Sequence, residues 1–117
     1  MNQRKRVIIS GLVSAKVKLD EFLPPVREQV KGLHGQIVGE LIQRRGVSRS
    51  KKPGGSKMLD LPLSSRTYIS SGKVDELKEL SHELKADLIV FINDLTAKQM
   101  ETLENLTGLK IEKINVL

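Results

Sequence analysis

Apolar residues occur along this chain in two patterns, short continuous runs and runs with a spacing of three or four. Continuous apolar runs rich in β-branched residues predict buried strands, whereas the wider spacing places apolar side chains on one face of a helix. The strand-like segments are residues 6–13, 36–45, 88–92 and 109–116, and the helix-like segments are 19–32, 73–85 and 96–107. Residues 66–69 are expected to form a short extended piece.

The order of these segments is β-α-β, a long connection, and then α-β-α-β. Because crossovers between parallel strands are right-handed and place helices on the faces of the sheet, this order predicts an α/β fold. We expect a small, mostly parallel sheet of about four strands, with residues 88–92 as the central strand because they are apolar throughout. The length of 117 residues suits one domain over 1–117.

Helix start signals refine these boundaries. Pro24 and Pro25 are tolerated in a first turn, so they are expected near the start of the first helix. Asp75 and Glu76 are expected in the first turn of the second helix, where the helix dipole favours anions. Residues 96–99 fit the capping-box pattern for the third helix.

Charge is unevenly distributed along the chain. Lysine and arginine total 20 against 14 acidic residues, and the excess is concentrated in residues 4–6 and in the segment 41–59, which contains no acidic residue. We predict a basic loop at about residues 46–66, which follows the end of a strand and precedes a helix. Its segment carries the cations Arg44, Arg45, Arg49, Lys51, Lys52 and Lys57.

A cationic loop of this kind is typical of proteins that bind a phosphate backbone. Pro53, Gly54 and Gly55 lie in a polar setting, so the loop is expected to be extended or mobile when free and to become ordered on binding. The alternative is a solvated surface loop whose cations aid solubility. Tyrosine occurs once and tryptophan is absent, so phosphate and shape contacts fit better than base stacking.

A second candidate for phosphate binding is the start of the second helix. Ser71, Gly72 and Lys73 combine N–H groups at a helix start with a cation, although an ordinary helix cap explains the same residues. The spacing of a nucleotide-binding phosphate loop is absent, because Thr67 and Val74 occupy the positions where that motif requires Gly and Ser or Thr.

Other chemistry is weakly indicated. His34 and His82 lack the companions of a metal site, so no metal is predicted. Asp87 and Asp94 flank the strand 88–92 and could line a ligand-binding sheet edge, although capping is the favoured role of Asp94. Without cysteine, a signal peptide or an apolar run of membrane-spanning length, the expected location is the cytoplasm, with no membrane partner.

Three blocks of sequence, GELIQRRGVS at 39–48, TYISSGKVDEL at 67–77 and ADLIVFINDLTAKQMETLENL at 86–106, resemble the N-terminal domain of the HflX family of ribosome-associated GTPases. The resemblance covers about residues 6–111. Residues of this chain that match the family motifs are Gln43, Arg44, Arg45, Gly72, Lys73 and Gln99. Departures occur at Ser71 and at residues 94–98, which read DLTAK where NELSP is more usual.

The resemblance implies a partner and an activity for the whole family. HflX proteins bind the large ribosomal subunit, can split stalled ribosomes, and hydrolyse GTP with Mg²⁺ in a separate G domain. The part of the pattern that belongs to the G domain is absent from these residues, so no enzyme activity and no cofactor are expected on this chain. A G domain in a longer product is a further expected partner.

Three functions follow as hypotheses. The first is a non-catalytic module that binds ribosomal RNA or the large ribosomal subunit through residues 44–57 and Lys73. The second is a nucleotide-binding α/β domain that uses the crevice at the carboxyl ends of the strands. The third is a protein-interaction domain that docks on a G domain, which an exposed apolar patch on residues 109–116 would favour.

Overall fold

A computed structural model describes residues 5–14, 16, 18–33, 35–44 and 67–114. The described residues form four strands and three helices, which confirms the predicted α/β fold. In chain order the elements are β1 (Lys5–Val13), α1 (Leu19–Leu33), β2 (Gly35–Arg44), α2 (Ser71–Glu83), β3 (Leu88–Phe91), α3 (Ala97–Thr107) and β4 (Lys110–Lys113).

The strands form one parallel sheet in the order β2-β1-β3-β4. The connection from β1 leads outward to β2, whereas the chain from β2 crosses over β1 to reach β3 on its other side. The two central strands are therefore the two at which the direction of winding reverses, and ligands of open α/β folds bind at the carboxyl ends of such strands. The strand predicted to be central, β3, is one of this inner pair.

Alternate residues of β1 bury against opposite layers, as expected for a strand covered on both faces. Ile8 and Leu12 belong to a core shared with α2 and α3, whereas Val7 and Ile9 belong to a second core shared with α1. Among the described elements, one helix thus lies on one face of the sheet and two lie on the other. Each strand of the inner pair, β1 and β3, contributes fully buried side chains to both cores.

Two details of the helix starts differ from their predictions, although α1 begins at Leu19 as predicted. Helix α2 begins at Ser71 rather than at Lys73, so Asp75 and Glu76 lie in its second turn and do not occupy the favourable first turn. Pro24 and Pro25 are the sixth and seventh residues of α1, beyond its first turn. Both prolines are exposed to solvent, where water can hydrogen-bond to the carbonyl groups that lack an N–H partner.

Residues 67–69 form a turn and bends in place of the predicted extended piece. Tyr68 has a φ of 73°, a left-handed conformation that is unfavourable for a bulky residue. Its neighbour Thr67 is buried and donates a hydrogen bond from Oγ1 to the Ile69 carbonyl at 2.8 Å. This local bond and the packing of Tyr68 against the α2–α3 core hold the backbone in that conformation.

Candidate nucleic-acid interface

The predicted basic segment is attached at the carboxyl edge of the sheet. It follows Arg44, the last residue of β2, and precedes Thr67, which leads into α2. Arg44 is exposed. The remaining predicted cations of the segment lie outside the described residues: Arg45, Arg49, Lys51, Lys52 and Lys57.

The start of α2 is built around the Ser70 hydroxyl. Ser70 is the N-cap residue with an extended backbone, and its Oγ accepts a hydrogen bond from the Lys73 N–H at 3.3 Å. This bond satisfies one of the N–H groups that a helix start leaves without an intrahelical partner. The ordinary cap predicted as one reading of these residues is therefore present, with Ser70 as the capping residue.

The side chain of Gln43 connects the end of β2 to this cap. Its Oε1 accepts a hydrogen bond from the Ser70 N–H at 2.8 Å, and its Nε2 donates one to Ser70 Oγ at 2.9 Å. One side chain thus contacts both polar groups of Ser70 across a gap of 27 residues in sequence. These hydrogen bonds therefore join the two ends of the segment between β2 and α2. We call the joined residues, Gln43 and Ser70, the root of the segment.

The charges near this root are partly compensated. Lys73 is half-buried, and its Nζ lies 3.0 Å from a carboxylate oxygen of Glu76 in the next turn of α2. Ser71 and Gly72 are exposed, and no atom of the described residues lies within 4 Å of a Cβ added to Gly72. The start of α2 therefore offers an accessible backbone and one lysine that is shared with a neighbouring carboxylate.

Asn93 connects the two central strands at their carboxyl ends. This residue is 5% exposed; its Oδ1 accepts the Leu12 N–H at 2.7 Å, and its Nδ2 donates to the Leu12 carbonyl at 3.0 Å. Gly11 lies directly beside it, because an added Cβ would come within 2.7 Å of Asn93 Oδ1 and 2.4 Å of Ile92 Cγ1. The Asn93 amide thus bridges the carboxyl ends of β1 and β3, in the region where ligands of open α/β folds bind.

The two aspartates that flank β3 serve the scaffold. Asp87 accepts the Arg6 N–H at 2.9 Å and closes the amino end of the β1–β3 ladder. Asp94 pairs with Lys113 at the end of β4, and Lys113 also donates to the Leu95 carbonyl at 3.1 Å. The favoured capping role of Asp94 was wrong, because Thr96 caps α3 and forms the predicted capping box with Gln99.

An ion pair fixes the edge strand to the helix beside it. The Arg27 guanidinium of α1 contacts both carboxylate oxygens of Glu40 on β2, with the Nη2–Oε1 distance at 2.8 Å. The hydrogen bond and the negative charge of Glu40 raise the pKa of Arg27 above its ordinary value. Such a two-point contact orients both side chains.

No other chemistry is assembled by the described residues. They contain no group of three side chains able to hold a metal ion, and no helix among them is long and apolar enough to cross a membrane. His82 is exposed near the end of α2, while His34 lies outside the described ranges. A groove of about 880 Å³ beside α2 is lined by residues of both charges, including Lys78, Glu79 and Lys85, and reaches the turn after α3.

The fold and the candidate interface define a small parallel α/β domain with a basic connection at the carboxyl edge of its sheet. Residues 23–115 match the family model of the GTP-binding GTPase N-terminal domain. The chain belongs to this family and is related to the N-terminal part of HflX proteins.

Three relatives, each named GTPase HflX, support this assignment. The protein of Thermofilum pendens is 32% identical over 108 residues, which are 92% of this chain and 22% of the relative. That of Caldanaerobacter subterraneus is 28% identical over 109 residues, again 92% and 22%. That of Alkalihalophilus pseudofirmus is 28% identical over 94 residues, 80% and 19%. The chain thus spans about a fifth of the length of these relatives.

Proposed function

We propose that this domain is a non-catalytic module that binds ribosomal RNA on the large ribosomal subunit. The observation that carries the proposal is the one-sided charge of residues 41–59, six cations and no acidic residue, in a segment that begins at the carboxyl edge of the sheet. Family membership supports the choice of the ribosome as the polyanion. In this proposal residues 1–117 are one domain, residues 46–66 are its basic loop, and the protein acts in the cytoplasm.

Phosphate contacts supply the affinity in this mechanism. Arg44, Arg45, Arg49, Lys51, Lys52 and Lys57 neutralise backbone phosphates, with Lys73 as a further contact near the helix start. Each contact releases condensed counterions, so the affinity falls steeply as the salt concentration rises. GTP and Mg²⁺ have no role on these residues; the GTPase activity in the name of the relatives is assigned to the remainder of those longer proteins.

The test is co-sedimentation of the chain with purified large ribosomal subunits across a salt series. Replacing Arg49, Lys51 and Lys52 with glutamine is expected to weaken binding and to lower the slope of log affinity against log salt by roughly two units, because each lost phosphate contact removes about 0.7–0.9. Thermal unfolding should be unchanged. The proposal would be refuted if binding did not depend on the salt concentration, or if this variant kept the wild-type slope of log affinity against log salt.

A control variant with the same net charge separates local from general electrostatics. Lys78, Lys85 and Lys110 are exposed and lie on α2 or near the amino edge of the sheet, away from the root of the basic segment. Replacing these three with glutamine removes the same charge as the first variant. Binding of the control variant should stay close to wild type if the position of the cations matters, and equal losses in both variants would indicate unspecific attraction.

The alternatives have weaker support from the described residues. For nucleotide binding, the Asn93 amide at the carboxyl ends of the central strands is already hydrogen-bonded to the Leu12 backbone. For docking on a G domain, Ile111 of β4 and Ile114 beyond it are buried, so neither supplies the exposed apolar patch that this reading requires. Saturable thermal stabilisation by millimolar ATP or GTP would favour the first alternative. Binding to an isolated HflX G domain without RNA would favour the second.

A further inference from the structure

The outer edge of β4 is covered by side chains of the helix that precedes it. The Ile111 N–H donates to Glu104 Oε2 at 3.2 Å, and the Leu109 N–H donates to Thr107 Oγ1 at 3.3 Å. Both acceptors lie in the last turn of α3. We propose that the edge of β4 is a self-association surface for a second copy of this chain, and that Glu104 and Thr107 keep it closed.

The direction of these N–H groups follows from the pairing of β4 with β3. The Ile114 N–H donates to the Phe91 carbonyl at 2.9 Å, so it faces β3. Because successive residues of a strand direct their N–H groups to opposite sides, the Ile111 N–H points away from β3. In the described part of the chain β4 is the last strand on this side of the sheet. An edge with free N–H groups is a template for another strand.

The opposite edge of the sheet is protected in a different way. The register of β1 against β2 shifts between Val7 and Ile8, which leaves Val38 as an extra residue in β2. Such a bulge twists an edge strand and interrupts the row of groups that a second strand would bind. By contrast, β4 pairs with β3 in an unbroken register over four residues, and its edge is covered by the side chains of α3.

The sequence of β4 fits a copy of itself in antiparallel pairing. With Ile111 opposite its copy, the two residues would exchange both N–H···O bonds, as outward-facing residues do in an antiparallel ladder. In that register Lys110 of each copy lies opposite Glu112 of the other, and opposite charges across strands stabilise a sheet. A shift by one residue would place Lys110 opposite Lys113, or Glu112 opposite its copy. The charges therefore favour a second copy in this two-fold register.

Glu104 and Thr107 occupy the donors on which this pairing depends. Glu104 is half-buried, and its carbonyl accepts the Gly108 N–H at 2.8 Å, so its position is fixed by the turn that ends α3. The Thr107 hydroxyl is held by its own bond to the Leu103 carbonyl at 2.7 Å. A second strand would have to displace both side chains and bring its carbonyl oxygens close to the Glu104 carboxylate. The monomer is therefore favoured while both side chains are in place.

The experiment compares wild type with the double variant Glu104→Ala, Thr107→Val, which removes both acceptors. The control Glu101→Ala, Thr102→Val removes the same charge and the same hydroxyl from positions of α3 that make no printed contact with β4 and of which the first is exposed. A third variant adds Lys110→Glu to the first, which places like charges opposite each other in the proposed pairing. Sedimentation equilibrium over a concentration series gives the mass, and circular dichroism reports folding.

Wild type and the control should be monomers, whereas the mass of the double variant should rise to that of a dimer as the concentration increases. Adding Lys110→Glu should restore the monomer. The inference is overturned if wild type is a dimer, if the folded double variant stays monomeric at millimolar concentration, if the control dimerises equally, or if the dimer persists with Lys110→Glu.

If the double variant does not fold, the single variants Glu104→Ala and Thr107→Val decide the question, because each frees one N–H group. Dimerisation of either would support the inference, and two folded monomers would overturn it. Failure of both to fold would also overturn it, because Glu104 and Thr107 would then serve the fold itself.

Discussion

Replacing Asn93 with alanine should be among the most damaging single changes in this domain. The Asn93 side chain occupies the place of the next residue in the β1–β3 ladder, because it accepts the Leu12 N–H and donates to the Leu12 carbonyl. Alanine cannot make either bond. Both backbone groups of Leu12 would then lack a partner in a region where Leu12 is only 5% exposed.

The magnitude follows from the cost of two unsatisfied buried groups. Each costs about 1–3 kcal/mol, so Asn93→Ala should lower the free energy of unfolding by about 2–4 kcal/mol after partial relaxation. That is a large fraction of the roughly 5–15 kcal/mol that stabilises a domain of ordinary size. Asn93→Asp should be at least as damaging at pH 7, because a carboxylate keeps the acceptor but faces the Leu12 carbonyl without a proton to donate.

The assay is urea unfolding followed by far-ultraviolet circular dichroism, since the chain contains no tryptophan for a fluorescence signal. The control is Asn105→Ala, at an exposed position of α3, which should be neutral or slightly stabilising because alanine is the better helix former. A loss below about 0.5 kcal/mol for Asn93→Ala would refute the reasoning, because a net hydrogen bond alone contributes about that much.

Three further predictions concern the scaffold. Gly11→Ala should lower the free energy of unfolding in urea by about 3 kcal/mol, because the new Cβ would overlap Ile92 and a φ of 151° disfavours residues with side chains. The control Gly32→Ala, in helix α1, should instead raise the free energy of unfolding by about 0.5–1 kcal/mol. Thr96→Ala should cost about 1 kcal/mol through loss of the α3 cap, measured in the same way; a neutral result would mean that the cap is dispensable. Glu40→Gln should lower the unfolding temperature more than Glu28→Gln, whose ion pair is mostly exposed; equal shifts would contradict a special role for the α1–β2 pair.

The sequence pattern was sufficient to predict the order and type of every described element. Continuous apolar runs and three-or-four spacing are strong signals, and the Thr96–Gln99 capping box is a purely local pattern that the structure confirms. Helix starts were harder. Ser70 caps α2 with the help of a glutamine 27 residues away, and such a distant partner leaves no local signal.

For the candidate interface too, the sequence predicted some residues and missed others. Its cations could be identified from charge alone, and five of them lie outside the described residues and remain predictions. Gln43 was noted only as part of a motif, because nothing in its neighbours indicates which distant backbone it contacts. Asn93 was overlooked between two acidic candidates, although its position directly after an apolar strand at the carboxyl edge was the available clue.

Two side-chain amides connect neighbouring elements at the carboxyl edge of this sheet. Asn93 joins β1 to β3, and Gln43 joins the end of β2 to the start of α2. Because Asn93 serves the fold, its loss should reduce stability and leave the affinity of the folded fraction for large ribosomal subunits unchanged. An Asn93 variant that folds at 10 °C but no longer binds large subunits would show that the crevice belongs to the interface after all.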